Sequence, residues 1–231
     1  MRYLAFLIAL LTVGSLTLIQ RKAAAYQVNE EPSRCQDNWL ASVSIYIITG
    51  PDSLEEADGS GIVVQDGFIL TNAHVIGRGV EGALILVRYN TPEKIVRIAR
   101  ARLERIDYEL DLALLSTSEK FSVAVELGDD RMLHRGSFVY AHLNWLGVKH
   151  QIYTEGYFSG YEREGELRLS IKAAPSSSGS GIFDAEGKLV GLTVSINFPP
   201  FIWAFVYAIP VSTIRLFLAN EVCGVRLHCS Y

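Results

Sequence analysis

The chain has 231 residues, of which 49% are hydrophobic and 20% charged, with 19 glycines and a formal net charge of −4. This composition excludes a disordered or collagen-like polymer. With no polybasic block, it also argues against nucleic acid as a main partner.

Met1 and Arg2 precede an uncharged apolar run over residues 3–19, followed by Gln20, Arg21, Lys22 and the string AAAY. The run reaches the short limit of a membrane span and slightly exceeds the usual signal-peptide core. Residues 1–25 therefore read in one of two ways. They are a signal peptide cleaved near Ala25, where Ala23 and Ala25 form a small-x-small site, or a transmembrane N-terminal anchor giving membrane association through residues 3–19. Both readings imply export, to the periplasm or the exterior. Export permits one disulfide among Cys35, Cys223 and Cys229 and leaves one thiol over. No spacing fits a metal site.

Residues 26–38 are polar and read as extended. Short apolar strings then alternate with turn signals. Strands are predicted over residues 43–48, 61–64 and 68–71, the last two joined by a hairpin at Asp66-Gly67. Residues 83–89, 94–101 and 112–115 follow. After a junction between lobes near 130–136 come 137–142, 151–159, 167–171, 181–183, 189–195 and 204–209. Many short strands at this spacing predict an all-β sandwich or pair of barrels. The string INFPPFIW, residues 196–203, is unusually apolar for a loop, and packing is its default reading. Residues 210–221 read as a helix capped by Ser212, with Ile214, Phe217 and Leu218 on one side.

Three groups carry chemistry. His74 follows a predicted strand in a small-residue corner, within DGSGIVVQDGFILTNAHVI. Asp111 directly abuts the apolar run of ELDLALL, where a carboxylate must find donors or stay wet. Asp107 and Glu109 are nearby but do not abut that run. APSSSGSGIFD, residues 174–184, places four serines among glycines. A serine hydroxyl attacks only with a base to take its proton, a group to orient that base, and N–H donors for the oxyanion.

Together the three groups resemble trypsin-like serine proteases of the chymotrypsin fold, particularly the bacterial HtrA-like branch. GSGIVVQDGFILTNAHVI is similar to that family's strand–turn–histidine segment, and DLALL to its aspartate segment. The pattern G-[DN]-S-G-G-P maps onto Ser176-Ser177-Ser178-Gly179-Ser180-Gly181. GKLVGLTVS, residues 187–195, and FVYAIP, residues 205–210, are similar to the two strands that follow.

The resemblance implies two six-stranded antiparallel barrels with a C-terminal helix and a protease domain over residues 39–220. Only a short tail at 221–231 then remains, so no peptide-binding module is expected after it. It implies a serine endopeptidase acting on proteins or peptides with no metal or organic cofactor, with His74 as base, Asp111 as its orienting carboxylate and Ser178 as nucleophile. The N–H groups of Ser176 and Ser178 would form the oxyanion hole. Lys172, Thr193, Val194, Ser195 and Ile196 would line the primary pocket. The main departure is Ser176, which stands where the family has glycine. The alternative function is a catalytically weak or inactive binding module on the same fold.

Overall fold

The computed structural model describes residues 37–49, 58–77, 83–144, 151–162, 165–173, 175–197 and 205–219. The chain divides into two units, Met1–Ser33 and Arg34–Tyr231, and every described residue belongs to the second.

Side chains alternate across a strand, so an apolar residue at every second position commits one face to the core. In β4 (Leu84–Asn90), Ile85, Val87 and Tyr89 are buried and the residues between them half-buried. Beside it runs β1 (Ser42–Ile48), with Ile45 opposite Val87 and Ile47 opposite Ile85. Full burial of each such aliphatic side chain contributes about 1.5–3 kcal/mol. β2 (Gly59–Gln65), β3 (Phe68–Thr71), β5 (Val96–Asp107) and β6 (Leu112–Ser116) close the first barrel in the order β1-β2-β3-β6-β5-β4. The second barrel holds β7 (Phe138–Leu143), β8 (Ile152–Tyr161), β9 (Leu167–Leu169), β10 (Gly181–Phe183), β11 (Leu189–Asn197) and β12 (Phe205–Pro210). Its order is β10-β11-β12-β9-β8-β7. All the pairings are antiparallel, and closure leaves neither sheet with a free edge.

The two six-stranded barrels and C-terminal helix are as expected, with shifted strand ends. β5 runs several residues beyond 94–101. The added part, residues 102–107, lacks clean alternation, because a register shift falls between Leu103 and Arg105, leaving Leu103 exposed while Ile106 packs against the core.

Apolar contact holds the barrels together. Tyr140, Phe183, Leu189, Leu192 and Ile209 of the second barrel share one buried cluster with the first barrel's core. Tyr140 stacks on Phe183 at 5.2 Å, and the Asn38 amide donates to the Tyr140 hydroxyl at 2.8 Å and to the Gly187 carbonyl at 2.9 Å. Groups carried on different barrels therefore meet across a packed seam.

The terminal helix, Val211–Ala219, buries Ile214, Phe217 and Leu218 as its spacing predicts. Ser212 does not cap it, because the helix begins one residue earlier. Asp130, almost fully buried, supplies the negative end instead. It accepts from Ser212 N at 2.7 Å and from the Ser212 hydroxyl at 3.2 Å. A carboxylate at a helix N-terminus satisfies an orphan N–H and opposes the helix dipole. Asp130→Ala removes both bonds and is expected to cost about 2–3 kcal/mol in denaturant unfolding, with the barrels otherwise intact. A loss under 0.5 kcal/mol would show that water replaces the cap.

No helix among the described residues is long and apolar enough to cross a membrane, which corrects the transmembrane reading. The run at residues 3–19 lies outside the described residues, as do Cys35, Cys223, Cys229, residues 198–203 of the apolar loop and residues 220–231. Among the described residues, no cluster has metal-holding composition.

Candidate active site

His74 sits on a four-residue helix, Ala73–Ile76, immediately after β3. Ala73, Val75 and Ile76 are buried and pin this helix to the first barrel, leaving the His74 ring half-exposed. The preceding residue, Asn72, makes no side-chain cap bond. Asp111 takes that place. Its Oδ1 accepts from the His74 backbone N–H at 2.9 Å, and its Oδ2 lies 2.7 Å from His74 Nδ1. An ionised carboxylate only accepts, so the contact assigns the hydrogen to Nδ1 and leaves Nε2 as the basic nitrogen.

Asp111 has φ +52°, in the left-handed region that Asp tolerates better than most residues. The Asn72 amide donates to the Asp111 carbonyl at 3.1 Å and so ties down this backbone. Asp107 has a different task. Its Oδ1 accepts from the N–H groups of Glu109 and Leu110, both at 3.0 Å, and turns the chain toward Asp111. The role of Asn72 is not legible in the sequence. Its place two residues before His74 was a hint, but only the fold shows which carbonyl its amide meets.

The serine-rich turn precedes β10. Ser177 and Ser180 are buried, Ser180 completely, whereas Ser178 is half-buried. That burial leaves Ser178 the more reachable of the two hydroxyls considered as nucleophile. In this structure its hydroxyl donates to the Val194 carbonyl at 2.9 Å. Among the described residues, no hydrogen bond joins Ser178 to His74. Gly179 has φ +86° and Ser176 has φ +69°. A left-handed residue after Pro175 matches the second central position of a type II turn, where glycine is favoured. Ser176 thus adopts the glycine-like conformation despite its side chain.

The other sequence-picked residues divide. Thr193 is buried and Val194 half-buried on β11, whose backbone receives the Ser178 hydroxyl. Ser195 and Ile196 continue that strand. Lys172 is exposed, and its backbone N–H donates to Thr154 Oγ1 at 3.2 Å.

A family model described as trypsin-like peptidase domain matches residues 59–192, more than half the chain. The chain belongs to the trypsin-like peptidase family. This membership supports a serine-hydrolase mechanism. The peptidase domain is 30% identical over 146 residues to a probable periplasmic serine endoprotease, DegP-like, from Pseudomonas putida, covering 60% of this chain and 29% of that protein. A putative serine protease HhoB from Synechocystis is 27% identical over 175 residues, covering 71% of this chain and 40% of that protein. The chain thus spans less than half the length of these curated relatives. Among solved structures, Deg5 superposes with a TM-score of 0.68 at 23% identity, covering 85% of this chain and 99% of that one. The HtrA-type protease AlgW with decapeptide gives 0.67 at 22% identity, covering 82% and 67%. At these identities the superpositions establish the shared fold.

Proposed function

We propose that this protein is a serine endopeptidase hydrolysing peptide bonds through His74, Asp111 and Ser178. The observation that carries the reading is the pair of contacts from one Asp111 carboxylate to the backbone and ring of His74. They lock the imidazole with Nε2 as acceptor, the tautomer a general base needs. The Ser178 hydroxyl, which donates to Val194 O in this structure, must turn to His74 Nε2 for the attack. Ser178 Oγ attacks the scissile carbonyl as His74 takes its proton. His74 returns that proton to the leaving amine, and Asp111 stabilises the imidazolium. The N–H groups of Ser176 and Ser178 hold the oxyanion. Water then attacks the acyl-enzyme with His74 again as base, releasing the acid and regenerating Ser178.

The test is a fluorophosphonate probe, with the labelled peptide mapped by mass spectrometry. An adduct on Ser178 is expected. No adduct, under conditions that label a known serine protease, would leave a binding module on the peptidase fold. Ser178 hydrogen-bonding to Val194 instead of His74 is the one observation that favours that second reading.

The substrates of this reading are proteins or peptides. Thr193 and Val194 beside Ser178, with Lys172 exposed to solvent, support small or aliphatic residues at the primary pocket. Sequencing the cleavage sites in a peptide library checks this, and cuts concentrated at acidic residues would reverse it. The domain proposed for this activity is residues 39–220, with the lobes joined near 130–136. Relatives named as periplasmic and the signal-like residues 1–25 support an exported protein, released by cleavage near Ala25. The mass of the mature N-terminus tests that.

A further inference from the structure

Ser60, in β2 of the first barrel, touches the nucleophile turn of the second barrel twice. Its backbone N–H donates to the Ser178 carbonyl at 2.7 Å. Its hydroxyl donates to the Ser176 carbonyl at 2.7 Å. These are the two residues whose N–H groups would hold the oxyanion. Ser60 itself is fully buried, and its own carbonyl accepts from Thr71 Oγ1 at 2.7 Å.

The direction of the hydroxyl hydrogen follows from a third residue. The Asn144 amide nitrogen lies 2.8 Å from the Val43 carbonyl and 3.0 Å from Ser60 Oγ. A carbonyl accepts only, so the nitrogen end of the amide must face Val43. Its second hydrogen goes to Ser60 Oγ. The single hydrogen of Ser60 is then directed at Ser176 O. A relay of fixed polarity runs from Asn144 through Ser60 to the oxyanion turn.

Its consequence concerns Ser176. The Ser176 N–H lies in the peptide shared with Pro175, so with the Ser176 carbonyl held its direction is set by the ψ and φ of Ser176, and φ is +69°. For a residue with a Cβ this region costs about 1–2 kcal/mol relative to the right-handed one. The turn therefore needs an outside hold. Ser60 supplies one from a buried position on another barrel.

We propose that Ser60 and Asn144 are positioning residues for the oxyanion site, acting through the Ser176 carbonyl. This rests on the peptidase reading above, and Ser60 touches no reacting atom. Oxyanion donors act in the transition state more than in substrate binding, so their misplacement lowers kcat more than it raises KM.

The experiment first labels the wild type with the fluorophosphonate probe and identifies a peptide it cleaves. Failure there overturns the peptidase reading and takes this proposal with it. Next, kcat, KM and the affinity of a peptide boronic acid, whose tetrahedral adduct places an oxygen at the oxyanion position, are measured for Ser60→Ala and Asn144→Ala. For Ser60→Ala, kcat is expected to fall roughly ten- to a hundredfold, below the effect of deleting a donor outright. Boronate affinity falls in parallel, and KM stays within about twofold. Asn144→Ala shows the same pattern at roughly three- to tenfold. A merely structural role would lower the active fraction without changing boronate affinity against KM. If Ser60→Ala does not fold, Asn144→Ala decides. An unchanged kcat, or a loss carried by KM with boronate binding intact, in a wild type that labels at Ser178, overturns the positioning role alone.

Discussion

Asp111→Asn is expected to lower kcat by about 10⁴-fold with little change in KM and an unchanged fold. The size follows from proton placement. In the native site, Oδ1 faces a backbone N–H and Oδ2 faces Nδ1, so the carboxylate accepts at both positions. An asparagine amide has one acceptor and one donor end. The His74 backbone N–H can only donate, so the amide oxygen must face it. The NH2 group then faces Nδ1, which has to be an acceptor. The ring hydrogen moves to Nε2, and His74 can no longer take the Ser178 proton. The opposite flip would set NH2 against the His74 N–H at 2.9 Å, two donors in contact. Asp107→Asn is the control. Its Oδ1 serves two backbone N–H groups that an amide oxygen serves as well, so kcat should stay within a few-fold. Steady-state kinetics with circular dichroism reads both variants. A loss smaller than tenfold for Asp111→Asn, or an equal loss for Asp107→Asn, would remove Asp111 from the mechanism.

Gly179→Ala is expected to destabilise the protein by more than about 3 kcal/mol and to abolish Ser178 labelling. A Cβ at Gly179 would lie 2.0 Å from the Ser60 carbonyl oxygen and 2.8 Å from Thr71 Oγ1. The obstacle is backbone in a closed barrel, which cannot turn aside as a flexible side chain would. Retreat of the turn would break the bonds from Ser60 N to Ser178 O and from Gly179 N to Thr193 O, both under 3 Å. Gly136→Ala separates this from conformational strain alone. Gly136 has φ +90° but nothing within 4 Å of the added carbon. Its substitution should cost only about 1–2 kcal/mol. Denaturant midpoints for the two variants make the comparison. Equal losses would mean that the contact with Ser60 carries no weight.

Much of the fold was legible because strand patterning is local. Every second residue of β4 is apolar, and Asp66-Gly67 marks a hairpin that forms, with Gly67 at φ +77°. The end of β5 is hidden, since a register shift between Leu103 and Arg105 breaks the two-residue alternation there. Ser212 reads as a cap because a serine near the start of an apolar helix commonly is one. Asp130 does the work from 82 positions away, which no local pattern announces. The candidate site divides in the same way. His74, Asp111 and Ser178 stand in strings that resemble a family, and Asp111 also stands out as the carboxylate abutting an apolar run. Asn72, Ser60 and Asn144 carry no such mark, because an amide or hydroxyl gives no local sign of which carbonyl it will meet.

By itself, then, the sequence determined the alternation of strands, the turns between them and the buried face of the last helix, and its family-like strings proposed His74, Asp111 and Ser178 for acyl transfer. Each depends on residues a few positions apart. The tertiary structure alone decided how carbonyls and N–H groups face one another across the barrels. It gave Ser176 a left-handed backbone, turned the Ser178 hydroxyl toward Val194, and set Ser60 against residues more than a hundred positions away. Those contacts follow from barrel closure and strand register, and a hydrogen bond tolerates only a few tenths of an ångström of error.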